Sequence, residues 1–131
     1  MASTTYPPSV LFFARKGDTK SKACLRHLKD LGFDVSVIWS SERTEKLPED
    51  IQSAKIDYIL CYRSYFILPK SLIESPKFYS INFHPGSPKY PGSGGVNFAL
   101  YHNDKTFGVT VHLMDEKIDS GKILGTKYFP I

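Results

Sequence analysis

The densest group of reactive side chains in this 131-residue chain is Asn82-Phe83-His84-Pro85-Gly86. A histidine near neutrality can donate to a developing oxyanion or exchange a proton. An asparagine amide aimed at the same oxygen adds a second donor. Alternate side chains of a strand share a face, so Asn82 and His84 converge on one side of whatever strand carries them. A carboxylate beside the imidazole would fix its tautomer and raise its basicity. Asp119, in the turn before Ser120-Gly121, reaches that point if the last two strands flank this one. On residue types alone, an Asn-x-His at a strand end is more often a satisfied structural pair than a catalytic one. The elements that position it therefore matter.

Phe78 to Phe83 reads as a strand that delivers His84 at its C-terminal end, where open α/β sheets place ligands. Upstream, Val10 to Ala14 is a buried opening strand. Residues 19 to 31 form a helix with Cys24, Leu25, Leu28 and Leu31 at helical spacing and Gly32 as its stop. Phe33 to Trp39 returns to β character, so strand, helix and strand make a right-handed βαβ unit. The polar stretch Ser41 to Asp50 is a loop with room for one short helix. A third strand spans Asp57 to Tyr62, and Leu68 to Ile73 forms a short helix with proline in its first turn.

Pro85 to Gly95 holds three prolines and four glycines in eleven residues and must be a loop. Val96 to Tyr101 is a helix, Phe107 to Leu113 a β-branched strand, and Ile123 to Ile131 the last strand. The link Asp115 to Gly121 is too short for a crossover helix, so these last strands pair antiparallel. The fold class is α/β: a Rossmann-like three-layer fold, mostly parallel, with an antiparallel C-terminal strand pair. The length suits a single domain, 1–131.

Lys plus Arg number 17 against 13 Asp plus Glu, a mild +4 that suits anionic small molecules as well as nucleic acid. The basic group around Arg15, Lys16, Lys20, Lys22, Arg26 and Lys29 reads as a solvated helix face. Cys24 and Cys61 have no metal-ligand spacing and read as free thiols in a reducing compartment. No signal peptide or membrane-length apolar run is present, which makes the cytosol the expected location. His27, His102 and His112 read as structural or solvated.

Four motifs sharpen this reading: Asn82-Phe83-His84-Pro85, Pro88-Lys89-Tyr90-Pro91-Gly92, Gly108-Val109-Thr110-Val111-His112 and Ile118-Asp119-Ser120-Gly121. Their order and spacing resemble the 10-formyltetrahydrofolate-dependent formyltransferases over about Asp57 to Ile131. The resemblance implies a catalytic trio of Asn82, His84 and Asp119. It also implies a folate site bordered by Phe66, Ile67 and Leu68 and closed by Met114, Asp115, Glu116 and Lys117. The acceptor side would be formed by Pro85, Gly86 and Ser87, with Lys16 or Lys89 available to a phosphate. The co-substrate would be 10-formyltetrahydrofolate, without a metal.

Gly86-Ser87-Pro88 is shorter than the corresponding loop of many members, so the acceptor pocket should differ in shape. Ala14-Arg15-Lys16-Gly17-Asp18 matches poorly the phosphate-holding turn of the glycinamide ribonucleotide branch. The methionyl-tRNA branch carries a separate C-terminal domain, whereas this chain stops at Ile131, as either a minimal form or a fragment. The expected acceptor is a small amine, such as an amino sugar on a nucleotide carrier, and neither nucleic acid nor membrane is an expected partner. Two alternatives accompany this reading: hydrolysis of the formyl-folate, and a non-catalytic folate- or nucleotide-binding remnant.

Overall fold

The structure is a computed structural model that describes residues 7–49, 51, 56–92, 94–115 and 121–131. Its elements run β1 (Ser9–Arg15), α1 (Thr19–Asp30), β2 (Asp34–Ser40), β3 (Tyr58–Tyr62), α2 (Lys70–Ile73), β4 (Tyr79–His84), α3 (Gly95–Tyr101), β5 (Thr106–Leu113) and β6 (Ile123–Pro130). They build one six-stranded sheet in the order β2-β1-β3-β4-β5-β6. β2, β1, β3 and β4 are parallel, while β5 is antiparallel to both β4 and β6. The α/β fold with an antiparallel C-terminal part is as the sequence indicates. No helix forms among residues 41–49, which are loop and turn.

Two apolar clusters sandwich the parallel part. On one face Leu11, Phe13, Ile59 and Cys61 meet Phe66, Leu68 and Ile73. On the other, Val10, Phe12, Ala14 and Leu60 meet Leu28 of α1. The run Val10-Leu11-Phe12-Phe13-Ala14 is continuous because a central parallel strand is covered on both sides. Both cysteines are free thiols, and burial pushes Cys61 up to about 12.

α1 starts where Asp18 accepts a hydrogen bond from the Ser21 amide at 2.8 Å. It ends at Gly32, whose φ of +95° an L side chain rarely adopts. No helix among the described residues is long and apolar enough to cross a membrane.

Candidate active site

Ser80, Asn82 and His84 lie on the face of β4 that packs toward α2, as the Ser80 hydroxyl shows by donating to the Ile73 carbonyl at 2.6 Å. The antiparallel register sets Asn82 opposite His112 and His84 opposite Thr110. Directly opposed residues share a face. Four polar side chains therefore form a two-by-two cluster, in which His84, Thr110 and His112 are each at most 5% exposed.

The hydrogen bonds fix one histidine tautomer. His112 Nδ1 lies 2.9 Å from the Leu113 carbonyl oxygen. A carbonyl only accepts, so Nδ1 carries the proton. In the neutral ring Nε2 is then an acceptor, and the Asn82 amide donates to it at 3.2 Å. His112 thereby orients the Asn82 amide. His84 Nε2 lies 2.8 Å from the Tyr90 carbonyl oxygen and donates to it.

The Pro85–Pro91 loop folds back over this cluster. Thr110 Oγ1 donates to the Gly86 carbonyl at 2.6 Å, and the Tyr90 amide donates to the Ser87 carbonyl at 3.0 Å. A Cβ on Gly86 would stand 2.6 Å from His84 Nε2, so only glycine lets the backbone pass this close to the imidazole. Between loop and strands lies a cavity of about 130 Å³ bordered by His84, Ser87, Pro88, Thr110, His112 and Gly121. It is smaller than the roughly 300 Å³ of pockets that enclose whole drug-sized ligands. Among the described residues, no group of three or more His, Cys, Asp or Glu side chains is arranged to hold a metal ion.

Of the residues singled out in the sequence, Asn82 and His84 share this site, with Gly86 and Ser87 in the loop above and exposed Pro85 beside them. Asp119, Glu116 and Lys117 lie outside the described residues. Gly121, two positions after Asp119, borders the cavity. Phe66 and Leu68 turn their side chains into the core, Met114 packs on the same cluster, and Ile67 is 74% exposed. Asp115 is exposed.

Met114 and the 66–68 stretch meet at one apolar cluster although β5 is not parallel to β3 and β4. β5 instead runs back along β4, and the Met114 amide donates to the Ser80 carbonyl at 2.8 Å. Lys16 is exposed beyond β1. Lys89 is exposed on the loop, where its ammonium pairs with Asp104 at 3.2 Å and sits over the Tyr90 ring.

Sequence reasoning assigned His112 a structural part only and passed over Thr110. Their alternation in Gly-x-Thr-x-His was the available signal, but it needed the pairing register to show that the same face holds Asn82 and His84.

A family profile described as formyl transferase matches residues 5–131. A methionyl-tRNA formyltransferase of Hydrogenobaculum sp. (strain Y04AAS1) is 39% identical over 92 residues, which cover 69% of this chain and 30% of that protein. Among solved structures, HypX from Aquifex aeolicus in complex with tetrahydrofolic acid superposes with a TM-score of 0.77 at 21% identity, covering 93% of this chain and 21% of that one. The formyltransferase PseJ from Anoxybacillus kamchatkensis, in complex with UDP-4,6-dideoxy-4-formamido-L-AltNAc and tetrahydrofolate, gives 0.72 at 18% identity, covering 94% and 61%. The chain spans about a third of the length of the curated relatives it matches.

Proposed function

The chain belongs to the formyl transferase family, and from that premise we propose that it moves a formyl group from 10-formyltetrahydrofolate to the amine of a small molecule. The observation that carries the reading is the polar cluster at the end of β4, where the His84 imidazole borders one small cavity and the Asn82 amide, held by His112, lies on the same face of the strands. Its size suits the reacting formyl group and amine rather than the whole folate.

In this mechanism the neutral amine attacks the formyl carbon and the carbonyl electron pair moves onto oxygen. The Nε2 proton of His84 exchanges the Tyr90 carbonyl for that oxyanion, and Asn82 adds a second donor. Asp119 accepts the amine proton, directly or through water. Collapse of the adduct breaks the bond to the folate nitrogen, which takes the proton back from Asp119, directly or through water, as it leaves.

The pterin would lie along the face of β4 from His84 toward Ser80, against the backbone of 66–68 and beside Met114. The tetrahydrofolate bound to two structural relatives supports this co-substrate. The UDP-linked formamido sugar of one of them supports a nucleotide-linked amino sugar as acceptor. With Lys89 paired to Asp104, Lys16 is the better of the two lysines to meet a phosphate.

The test is amine-dependent loss of 10-formyltetrahydrofolate over a panel of nucleotide-linked amino sugars, other small amines and methionyl-tRNA, the last because curated relatives bear that name. His84→Ala should lose about 100-fold or more in turnover with folate binding little changed. Release of formate without any amine would replace transfer with hydrolysis. Folate binding without turnover on any acceptor would leave a binding protein.

A further inference from the structure

The loop over the β4 cluster is anchored on its far side through Tyr90. The Tyr90 backbone carbonyl accepts the Nε2 proton of His84 at 2.8 Å, while its side chain packs against α3 and β5. Its ring lies 6.4 Å from that of Phe98, 6.3 Å from His102 and 6.4 Å from Phe107, close to parallel with each. Phe107 is a buried residue of β5. Gly95, the first residue of α3, keeps room for this packing, since a Cβ there would stand 3.2 Å from Tyr90 Cβ and 3.4 Å from the Phe107 ring.

The phenol completes the anchorage by donating to Asp104 Oδ2 at 2.5 Å. Asp104 is fixed in turn. Its amide donates to the carbonyl of fully buried Ala99 at 2.9 Å, and it follows Asn103, whose φ of +59° closes the end of α3 with a left-handed residue. A hydrogen bond to an ionised carboxylate is roughly twice as strong as one between neutral groups. That bond is the foremost cause holding the Asp104 carboxyl below its usual range and the Tyr90 phenol above its own.

This chain of contacts ends on a reacting atom. The imidazole of His84 is buried, so its Nε2 proton needs an acceptor before any substrate arrives, and the Tyr90 carbonyl supplies one. Thr110 pins the first half of the loop at Gly86. Tyr90 and Asp104 pin the second half, at the carbonyl that faces the imidazole. The cavity is bordered by His84 and by Pro91, the residue after Tyr90. A small movement of the ring therefore carries the proton from the carbonyl to an oxygen lodged in the cavity.

We infer that Tyr90 and Asp104 are positioning residues for His84: the bond between them fixes the loop carbonyl that orients the imidazole until a substrate oxygen takes its Nε2 proton. The catalytic use of that orientation rests on the proposed transferase reading, but the orientation itself does not.

The test reads the imidazole first and turnover second. Proton NMR of the full chain with isotope-labelled histidine should show the His84 Nε2 proton as a slowly exchanging resonance, assigned by its loss in His84→Ala. Tyr90→Phe and Asp104→Ala should each speed its exchange with solvent about tenfold, the loss of one charge-assisted hydrogen bond. Asp104→Asn, whose amide oxygen still accepts from the phenol, should recover part of the protection. The double variant should exchange no faster than the worse single one, because both changes remove the same bond. If Asp104→Ala melts early, Tyr90→Phe decides, since it keeps the ring packing. With an accepted amine in hand, both variants should lower kcat about tenfold and leave the folate KM unchanged. Unchanged exchange in Tyr90→Phe, additive effects in the double variant, or faster exchange with normal kcat overturns the inference. Faster exchange in a protein whose wild type transfers formyl to no acceptor would leave the positioning standing and remove the transferase reading.

Discussion

β1 buries Val10, Leu11, Phe12, Phe13 and Ala14 between two apolar layers, whereas β6 is exposed along its whole length. Between these extremes, β4 and β5 bury His84, Thr110 and His112 together with Ser80. The β1–β3 part thus spends its interior mainly on apolar contact, and the β4–β5 part, Phe107 apart, spends it on polar side chains that need partners. A buried polar group without a hydrogen bond is expensive, so each member of the second set is tied to a neighbour: Asn82 to His112, His84 to Tyr90, Thr110 to Gly86. The first arrangement stabilises the sheet. The second fixes the direction in which donors point, and direction is what an oxyanion site requires.

If this division is right, the two halves should fail differently. Phe12 is fully buried against α1, Leu60 and the rest of its cluster. Phe12→Ala should cost about 3–5 kcal/mol, a large share of the roughly 5–15 kcal/mol that holds a domain of this size. Chemical denaturation should show it as a fall in the midpoint, with activity lost only in proportion to unfolded protein. A Phe12 variant that stays fully stable yet loses turnover would erase the distinction between the halves.

Gly86→Ala sharpens the other side. Its Cβ would stand 2.6 Å from His84 Nε2, so either the imidazole or the loop must move. A displacement near 1 Å at a reacting group costs about 100-fold in rate. Turnover should fall by that order while the melting temperature shifts less than for Phe12→Ala, because the contact lies in the polar cluster and not in either apolar layer. Unchanged turnover would mean that His84 does not work from the position seen here.

How much of this was readable in advance follows from the same contrast. Continuous apolar runs and helical spacing are local signals, so the strands, α1 and the antiparallel hairpin were all legible. Alternation likewise put Asn82 and His84 on one face. That His112 holds Asn82 was not legible, because the two are 30 residues apart and only the β4–β5 register makes them neighbours. The Asp18–Arg63 pair was invisible for the same reason: it joins loops 45 residues apart and depends on a left-handed Arg63 that no local residue pattern announces. Lys89 was readable as a surface cation, but its pairing with Asp104 was not, since nothing near it in sequence pointed to that carboxylate.

His112 gives a smaller effect. Removing its acceptor nitrogen frees the Asn82 amide to turn, and a positioning hydrogen bond is worth about 1 kcal/mol, or roughly five- to tenfold in rate. His112→Leu should lower kcat by that factor with the folate KM unchanged. His112→Gln, whose side-chain oxygen can accept from Asn82, should recover part of it. Equal defects in both variants would point to packing and not to orientation.

The smallest effect lies in the parallel half and appears only in acid. The Asp18 carboxyl is held at about 2, chiefly by the Ser21 hydroxyl, with the Ser21 amide and Arg63 also lowering it against an opposing desolvation. An unfolded aspartate titrates near 3.9. A carboxyl depressed on folding adds stability that is complete above the unfolded value and disappears as pH falls through the folded one. The window is therefore about pH 4 to 2. Asp18→Asn keeps an acceptor for the Ser21 amide and removes the charge. The wild-type chain should melt higher than the variant at pH 5, and the gap should close as pH approaches 2, even though other carboxylates lower both curves together. Because the Asp18–Arg63 pair is only partly buried, the gap at pH 5 should be modest. A gap that persists undiminished at pH 2 would show that the Asp18 cap acts through shape alone and not through its charge.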